Sequence, residues 1–215
     1  MKIAVVGKTG EVEERIAIGP SCLTRRRLWN EAAKLVALFE RAGAEAFATH
    51  PLDNAGPDPD LWLLADAPRA ALVSSGLRAR IAAAVRLSHA RLFMLGGCFS
   101  LGGQGGAGGW HDDPMLPATS EGDDTVECVR GVVATGPDPE KLSTWTSWGY
   151  NRVAPRAGAR VEARFGEDPA LIRSADGRVG IWCSDLLPHW GPGQGEVEAV
   201  ATWLRRNVVE WGAAT

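Results

Sequence analysis

The chain reads as an α/β fold, a parallel sheet with helices on both faces. Two observations predict it. Short, fully apolar, β-branched runs alternate with stretches of helical period. Several of those runs also end in glycine or an acid, as strands do where they leave a parallel sheet.

The elements follow in order. KIAVVG (2–7) is a buried first strand ended by glycine. Residues 8–23 are polar and read as irregular. RRLWNEAAKLVALFERA (26–42) puts Leu28, Ala32, Leu35, Leu38 and Phe39 on one helical face, and Gly43 ends it. AEAFATH is a second strand, DNAGPDPD a loop, and LWLLAD (61–66) a third strand ending in Asp66. GLRARIAAAVRLSHA is a helix and RLFMLGG a fourth strand. Residues 102–124, rich in Gly and Asp, are expected to form an excursion over the sheet. TVECVRGVV follows as a strand, and ARVEARFG with PALIRSADGRVGIWCSD as a hairpin turning at ADG. EVEAVATWLRRNVVEWG (196–212) is a closing helix. No internal repeat or linker interrupts this order, so residues 1–215 are expected to be one domain.

Composition narrows the function. The net charge of -3 gives no reason to expect a nucleic-acid partner or an anionic membrane surface. No run of about 18 apolar residues suggests a membrane span. Cys22, Cys98, Cys128 and Cys183 are widely spaced, with no C-x-x-C pair to suggest zinc. The opening residues lack the pattern of an export signal, so reduced thiols in the cytoplasm are expected. Nine tryptophans against one tyrosine imply core or pocket walls and leave a homo-oligomer open. GQGGAG (103–108) matches a dinucleotide fingerprint in letters only, because GGWHDDP breaks the helix it should open. His111, Asp112 and Asp113 are adjacent on a loop and do not converge as metal ligands do. Neither a cofactor nor a metal is expected.

The chemistry centres on RLFMLGGCFSLGG. Cys98 follows an apolar strand, with Gly96 two residues before and Ser100 two after. A nucleophile on a sharp strand-to-helix turn needs such small neighbours. A nearby helix N-terminus would lower the thiol pKa, and adjacent backbone N–H groups would hold an oxyanion. The plainer alternative is a buried cysteine that ends a strand as a small hydrophobe. His189, in CSDLLPHWGP, follows another strand end and is the candidate base. Glu11, Glu13 and Glu14, after the first strand, are candidate carboxylates that are individually also ordinary surface acids.

Four strings, in this order, carry a resemblance: DLWLLADAPRAAL, LFMLGGCFSLGGQGGAGGWHDDPMLP, WGYNRV and IWCSDLLPHWGP. They resemble segments of the class I glutamine amidotransferase-like family. That resemblance implies a three-layer, flavodoxin-like sheet with a nucleophile elbow after a central strand. It maps the elbow onto Cys98 and brings Asp66, Tyr150, Asn151, Arg152, Asp185, His189 and Trp190 to the pocket. Close relatives often carry an aromatic residue where this chain has Cys98. Glutaminases of the wider superfamily carry His-x-Glu, whereas here Trp190 and Gly191 follow His189. Glu11, Glu14, Asp66 or Asp185 would then supply the carboxylate.

The resulting expectation is a cysteine-dependent enzyme acting on an amide or related C–N bond of a small polar substrate. Cys98 is the nucleophile, His189 the base, and Asp185 or Glu14 the charge partner. Gly97, Phe99, Asp66, Trp110, Tyr150, Asn151, Arg152 and Trp190 bind substrate, with Trp148 as a further wall. The alternatives are a ligand- or partner-binding protein of the same fold, or an oxidation-sensitive thiol protein.

Overall fold

The computed structural model describes residues 1–7, 10–18, 21–29, 31–65, 73–96, 113–138, 147–184 and 194–214. The elements on the central sheet are β1 (Lys2–Val6), β4 (Glu45–Thr49), β5 (Leu61–Leu64), β6 (Arg91–Leu95), β9 (Arg160–Phe165), β10 (Asp168–Arg173) and β11 (Val179–Trp182). Their spatial order is β4-β1-β5-β6-β11-β10-β9. The first five run parallel, and β10 and β9 extend the sheet antiparallel beyond β11. The expected parallel α/β sheet is thus present, with a two-strand antiparallel flank.

The strands are apolar throughout because both faces are covered. Ile3 and Val5, Leu61 and Leu63, Phe93 and Leu95 enter one core. Their alternates Ala4 and Val6, Trp62 and Leu64, Leu92 and Met94 enter the other. Helices α1 (Glu31–Arg41) and α3 (Gln194–Leu204) cover the first face with Leu35, Leu38, Phe39, Val200 and Leu204. Helix α2 (Ser75–Arg86) covers the second with Leu77, Ile81 and Val85. Ser74 caps α2, its hydroxyl accepting the Leu77 N–H at 3.1 Å.

Two predicted segments are corrected. Within the segment 8–23, which the sequence marks as irregular, β2 (Gly10–Ile18) and the start of β3 (Ser21–Trp29) form an antiparallel ribbon. The helix predicted from residue 26 therefore starts only at Glu31, and Leu28 belongs to β3. The register sets Glu13 opposite Arg26 and Glu14 opposite Arg25. The second correction concerns the excursion. Its residues 118–124 belong to β7 (Ala118–Val132), which pairs antiparallel with β8 (Ser147–Pro155), a strand the sequence pattern did not reveal.

The amino end of the sheet is held by a buried cation. Arg173 is 1% exposed and donates from Nε to Glu162 at 3.2 Å and from Nη2 to the Asn207 carbonyl at 2.6 Å. Asn207 lies in a π-helical turn, Arg205–Val209, between α3 and α4 (Glu210–Ala213). The guanidinium also packs over Trp211 at 4.2 Å and Phe93 at 5.1 Å. Burial pushes it down to about 10, against the opposing pull of Glu162. Arg91 lies over Trp211 at 5.2 Å and donates to the carbonyls of Trp211 and Ala214, tying down the last helical turn.

Gly180 makes room for Arg173. A Cβ there would collide with Arg173 Nη1 and stand 2.7 Å from Phe93 Cδ2. Gly180→Ala is expected to destabilise by about 2 kcal/mol through overpacking, read as a lower urea midpoint at unchanged slope.

Candidate active site

The parallel strands end together on one edge of the sheet, where open α/β folds place their ligands. Gly7 follows β1, Ala65 follows β5, Gly96 follows β6, and Cys183 and Ser184 follow β11. The Gly96 N–H donates to the Trp182 carbonyl at 2.6 Å, extending the β6–β11 pairing one residue beyond the strand.

Strand β8 closes over this point. The Asn151 N–H donates to the Cys183 carbonyl at 2.7 Å, and Tyr150 bridges antiparallel to Ser184. Ser184 Oγ donates to the Gly149 carbonyl at 2.6 Å. Thr125, Val126 and Glu127 of β7 pair with Asn151, Tyr150 and Gly149 from the other side. Residues 149–151 are therefore held between two backbones.

This leaves no space for a side chain at residue 96. A Cβ on Gly96 would stand 2.5 Å from the Cys183 carbonyl carbon, 2.7 Å from Ser184 N and 2.7 Å from Asn151 Oδ1. Two of those three atoms are backbone and cannot swing aside. Glycine at residue 96, two before Cys98, is thus required by packing against β11 and β8. Asn151, only 2% exposed, has its carboxamide against Gly96.

Tyr150 and Arg152 alternate with Asn151 along β8, and both reach Asp168. Tyr150 Oη donates to Asp168 Oδ2 at 2.8 Å, and Arg152 Nε lies 3.6 Å from the same oxygen. The Tyr150 ring stacks on Phe165 at 4.9 Å. Asp168 opens β10, whose antiparallel course puts its start at this edge. Sequence reasoning missed Asp168. Its one signal, an acid just after the Gly166–Glu167 turn, is shared with ordinary strand starts.

Cys183 is fully buried beneath the edge. Desolvation, helped by the nearby Asp168 charge, pushes its thiol far above its ordinary value of 9.0. It packs as a small hydrophobe in the second core.

Of the predicted site residues, the structure brings together Tyr150, Asn151 and Arg152. Glu14 is not on a loop beside the first strand. It sits within β2, seven residues beyond Gly7 and registered opposite Arg25, so its backbone lies well along the ribbon. Glu11 is registered opposite Leu28 on the same strand. Asp66, Gly97, Cys98, Phe99, Trp110, Asp185, His189 and Trp190 lie outside the described residues, and so does His111; for Trp148 only the backbone is described. Among the described residues no group of three His, Cys, Asp or Glu side chains is placed to hold a metal. None of the described helices is long and apolar enough to cross a membrane.

Residues 77–213, more than half of the chain, match the model of the family described as "Putative glutamine amidotransferase". The chain belongs to that family. No functionally curated protein matches it. Solved structures do. Cytoplasmic Protein STM3548 from Salmonella typhimurium is 20% identical, with a TM-score of 0.74 over 95% of this chain and 97% of that one. Cytoplasmic Protein STM1381 from Salmonella typhimurium LT2 is 21% identical, with a TM-score of 0.73 over 98% of each. A chain of PurLQS from Thermotoga maritima is 12% identical, with a TM-score of 0.55 over 94% of this chain and 97% of that one. These likenesses establish a glutamine amidotransferase-like fold.

Two outcomes follow from the packing. Gly96→Ala should cost about 3 kcal/mol or more, since rigid backbone must shift, and should lower the unfolding midpoint more than Gly180→Ala does. Cys183 should resist alkylation in the native protein and label fully in urea. The sign of its linkage is that of an acid with a raised folded pKa. Its contribution is complete below pH 9.0 and declines as pH rises further. Cys183→Ala should therefore flatten the alkaline fall in stability, measured as urea midpoint against pH.

Proposed function

We propose that the protein is a cysteine-dependent amidotransferase- or amidohydrolase-like enzyme, acting on an amide or related C–N bond of a small polar substrate with Cys98 as nucleophile. The observation that carries this reading is the place of Cys98 in the chain, three residues past the end of the central strand β6 and two past Gly96. Strand β6 lies between β5 and β11, and its carboxyl end must be glycine two residues before the cysteine. Family membership adds to it.

In this reading the Cys98 thiolate attacks the amide carbonyl carbon, and backbone N–H groups beside it receive the oxyanion. The intermediate collapses with rupture of the C–N bond, and His189 gives the departing nitrogen its proton. Water then attacks the thioester carbon and loses a proton to His189, and the C–S bond breaks to release the carboxylic acid product and restore the Cys98 thiolate beside protonated His189. Where a second amine takes the place of water, the same steps amount to acyl transfer. Asp185 lies immediately beyond Ser184 in the chain, and we assign it the charge partner of His189 in preference to Glu14, which is registered opposite Arg25 in the β2–β3 ribbon. Tyr150 and Arg152 contribute from one face of β8 and Asn151 from the other. Gly97, Phe99, Asp66, Trp110, Trp148 and Trp190 complete the pocket and exclude water. We place this chemistry in the cytoplasm, in keeping with the expected reduced thiols and with the two similar Salmonella proteins, which are cytoplasmic.

The test is ammonia release from glutamine and a panel of small primary amides. Turnover by the wild type should fall about 10⁴-fold or more in Cys98→Ala, as when an essential nucleophile is removed, while thermal unfolding stays unchanged. Turnover that survives in Cys98→Ala would overturn the assignment.

A further inference from the structure

We propose that Asp168 is a positioning residue for the elbow, a carboxylate that clamps β8 from one face and so holds Asn151 against Gly96 on the other. Its consequence for reactivity rests on Cys98 being the nucleophile; its geometry does not.

Side chains alternate along a strand, so residues 150 and 152 share a face and residue 151 points away from them. Asp168 Oδ2 accepts from Tyr150 Oη at 2.8 Å and pairs with Arg152 Nε at 3.6 Å. One oxygen therefore holds the residues on both sides of Asn151. Stacking on Phe165 at 4.9 Å fixes the Tyr150 ring that carries the hydroxyl. Asn151 in turn donates its N–H to the Cys183 carbonyl and sets its carboxamide oxygen 2.7 Å from where a Gly96 Cβ would stand. Asp168 is also close enough to Cys183 to raise its thiol pKa, which places the charge beside the same backbone junction. An exposed acid needs neither partner. This one, opening β10 at the carboxyl edge of the parallel strands, has two that flank Asn151, whose carboxamide packs on Gly96.

Three consequences follow. Loss of the carboxylate should loosen residues 149–152 before it loosens the sheet. Asparagine should replace it, because its carboxamide oxygen accepts from both donors. The loosening should reach Cys98 through Gly96.

The experiment is amide hydrogen exchange resolved by NMR, together with iodoacetamide labelling, on the full chain. In Asp168→Ala the Asn151 and Gly96 amides should exchange about tenfold faster or more, a local opening, while the Ile3 and Leu63 amides keep their wild-type protection. Asp168→Asn should restore protection at both. Cys98 labelling relative to Cys128 should drop about tenfold in Asp168→Ala and recover in Asp168→Asn, a pattern that a general loss of stability would not give. Should Asp168→Ala not fold, the double variant Tyr150→Phe/Arg152→Met removes the same two contacts and should behave as Asp168→Ala was expected to. Unchanged Asn151 and Gly96 exchange in a folded variant lacking the clamp overturns the proposal. A wild type in which Cys98 labels no faster than Cys128 defeats the nucleophile reading instead, and the exchange data still decide the role of Asp168.

Discussion

The site depends on a space too small for a methyl group. At the end of β6 the carbonyl carbon of Cys183, the nitrogen of Ser184 and the Asn151 carboxamide converge on the position a Gly96 side chain would take. Only a glycine lets β6, β11 and β8 meet there. The meeting is secured by main-chain hydrogen bonds from Gly96 to Trp182 and from Asn151 to Cys183. Backbone contacts of this kind do not depend on side-chain rotamers, so the junction is rigid in the sense that a preorganised site requires. The two chain segments that bear the proposed nucleophile and base, after Gly96 and after Ser184, both leave from this junction.

The two ends of the sheet are built differently. At the carboxyl edge the strands end in small or polar residues and β8 crosses over them. At the amino edge a buried Arg173 lies between Phe93 and Trp211 and reaches the Asn207 carbonyl through the π-helical turn. The extra residue in that turn accompanies a carbonyl that bonds a side chain, as is common where a helix departs from α geometry. Glu162 offsets part of the desolvation cost of the guanidinium, and that carbonyl and two aromatic rings surround it. The molecule thus keeps its costly buried charge away from the edge where chemistry is proposed.

Much of the framework was legible in the residues. Strands β1, β5 and β6 read correctly because burial on both faces leaves an unbroken apolar run. Helix α2 read correctly from its period. The β2–β3 ribbon did not, since it sets Glu opposite Arg across two strands and shows no apolar run; its Arg-Arg-Arg-Leu-Trp end also fits a helical face. Strand β8 was hidden because WGYNRV mixes Gly, Asn and Arg. Its polar Asn151 is buried for the sake of a backbone junction, which hydropathy cannot express. Strand β7 was shortened in the reading by Gly122, Asp123 and Asp124, where the ladder shifts register between Ser120 and Thr125. At the site, Gly96, Tyr150, Asn151 and Arg152 were legible by motif, and their mutual placement was not. Asp168 acts only through partners 16 and 18 residues away in sequence, a relation that no local pattern encodes.

The central claim is that this junction ends in a working thiolate, and the most direct measurement is the rate of Cys98 alkylation by iodoacetamide against pH, followed by mass spectrometry with Cys98→Ser as control. The account predicts an apparent pKa well below the unperturbed value of about 8.5, with Cys98 labelled far faster than Cys22, Cys128 and Cys183. A midpoint at or above that value, with Cys98 no faster than Cys128, would contradict it and leave a binding protein built on an enzyme fold.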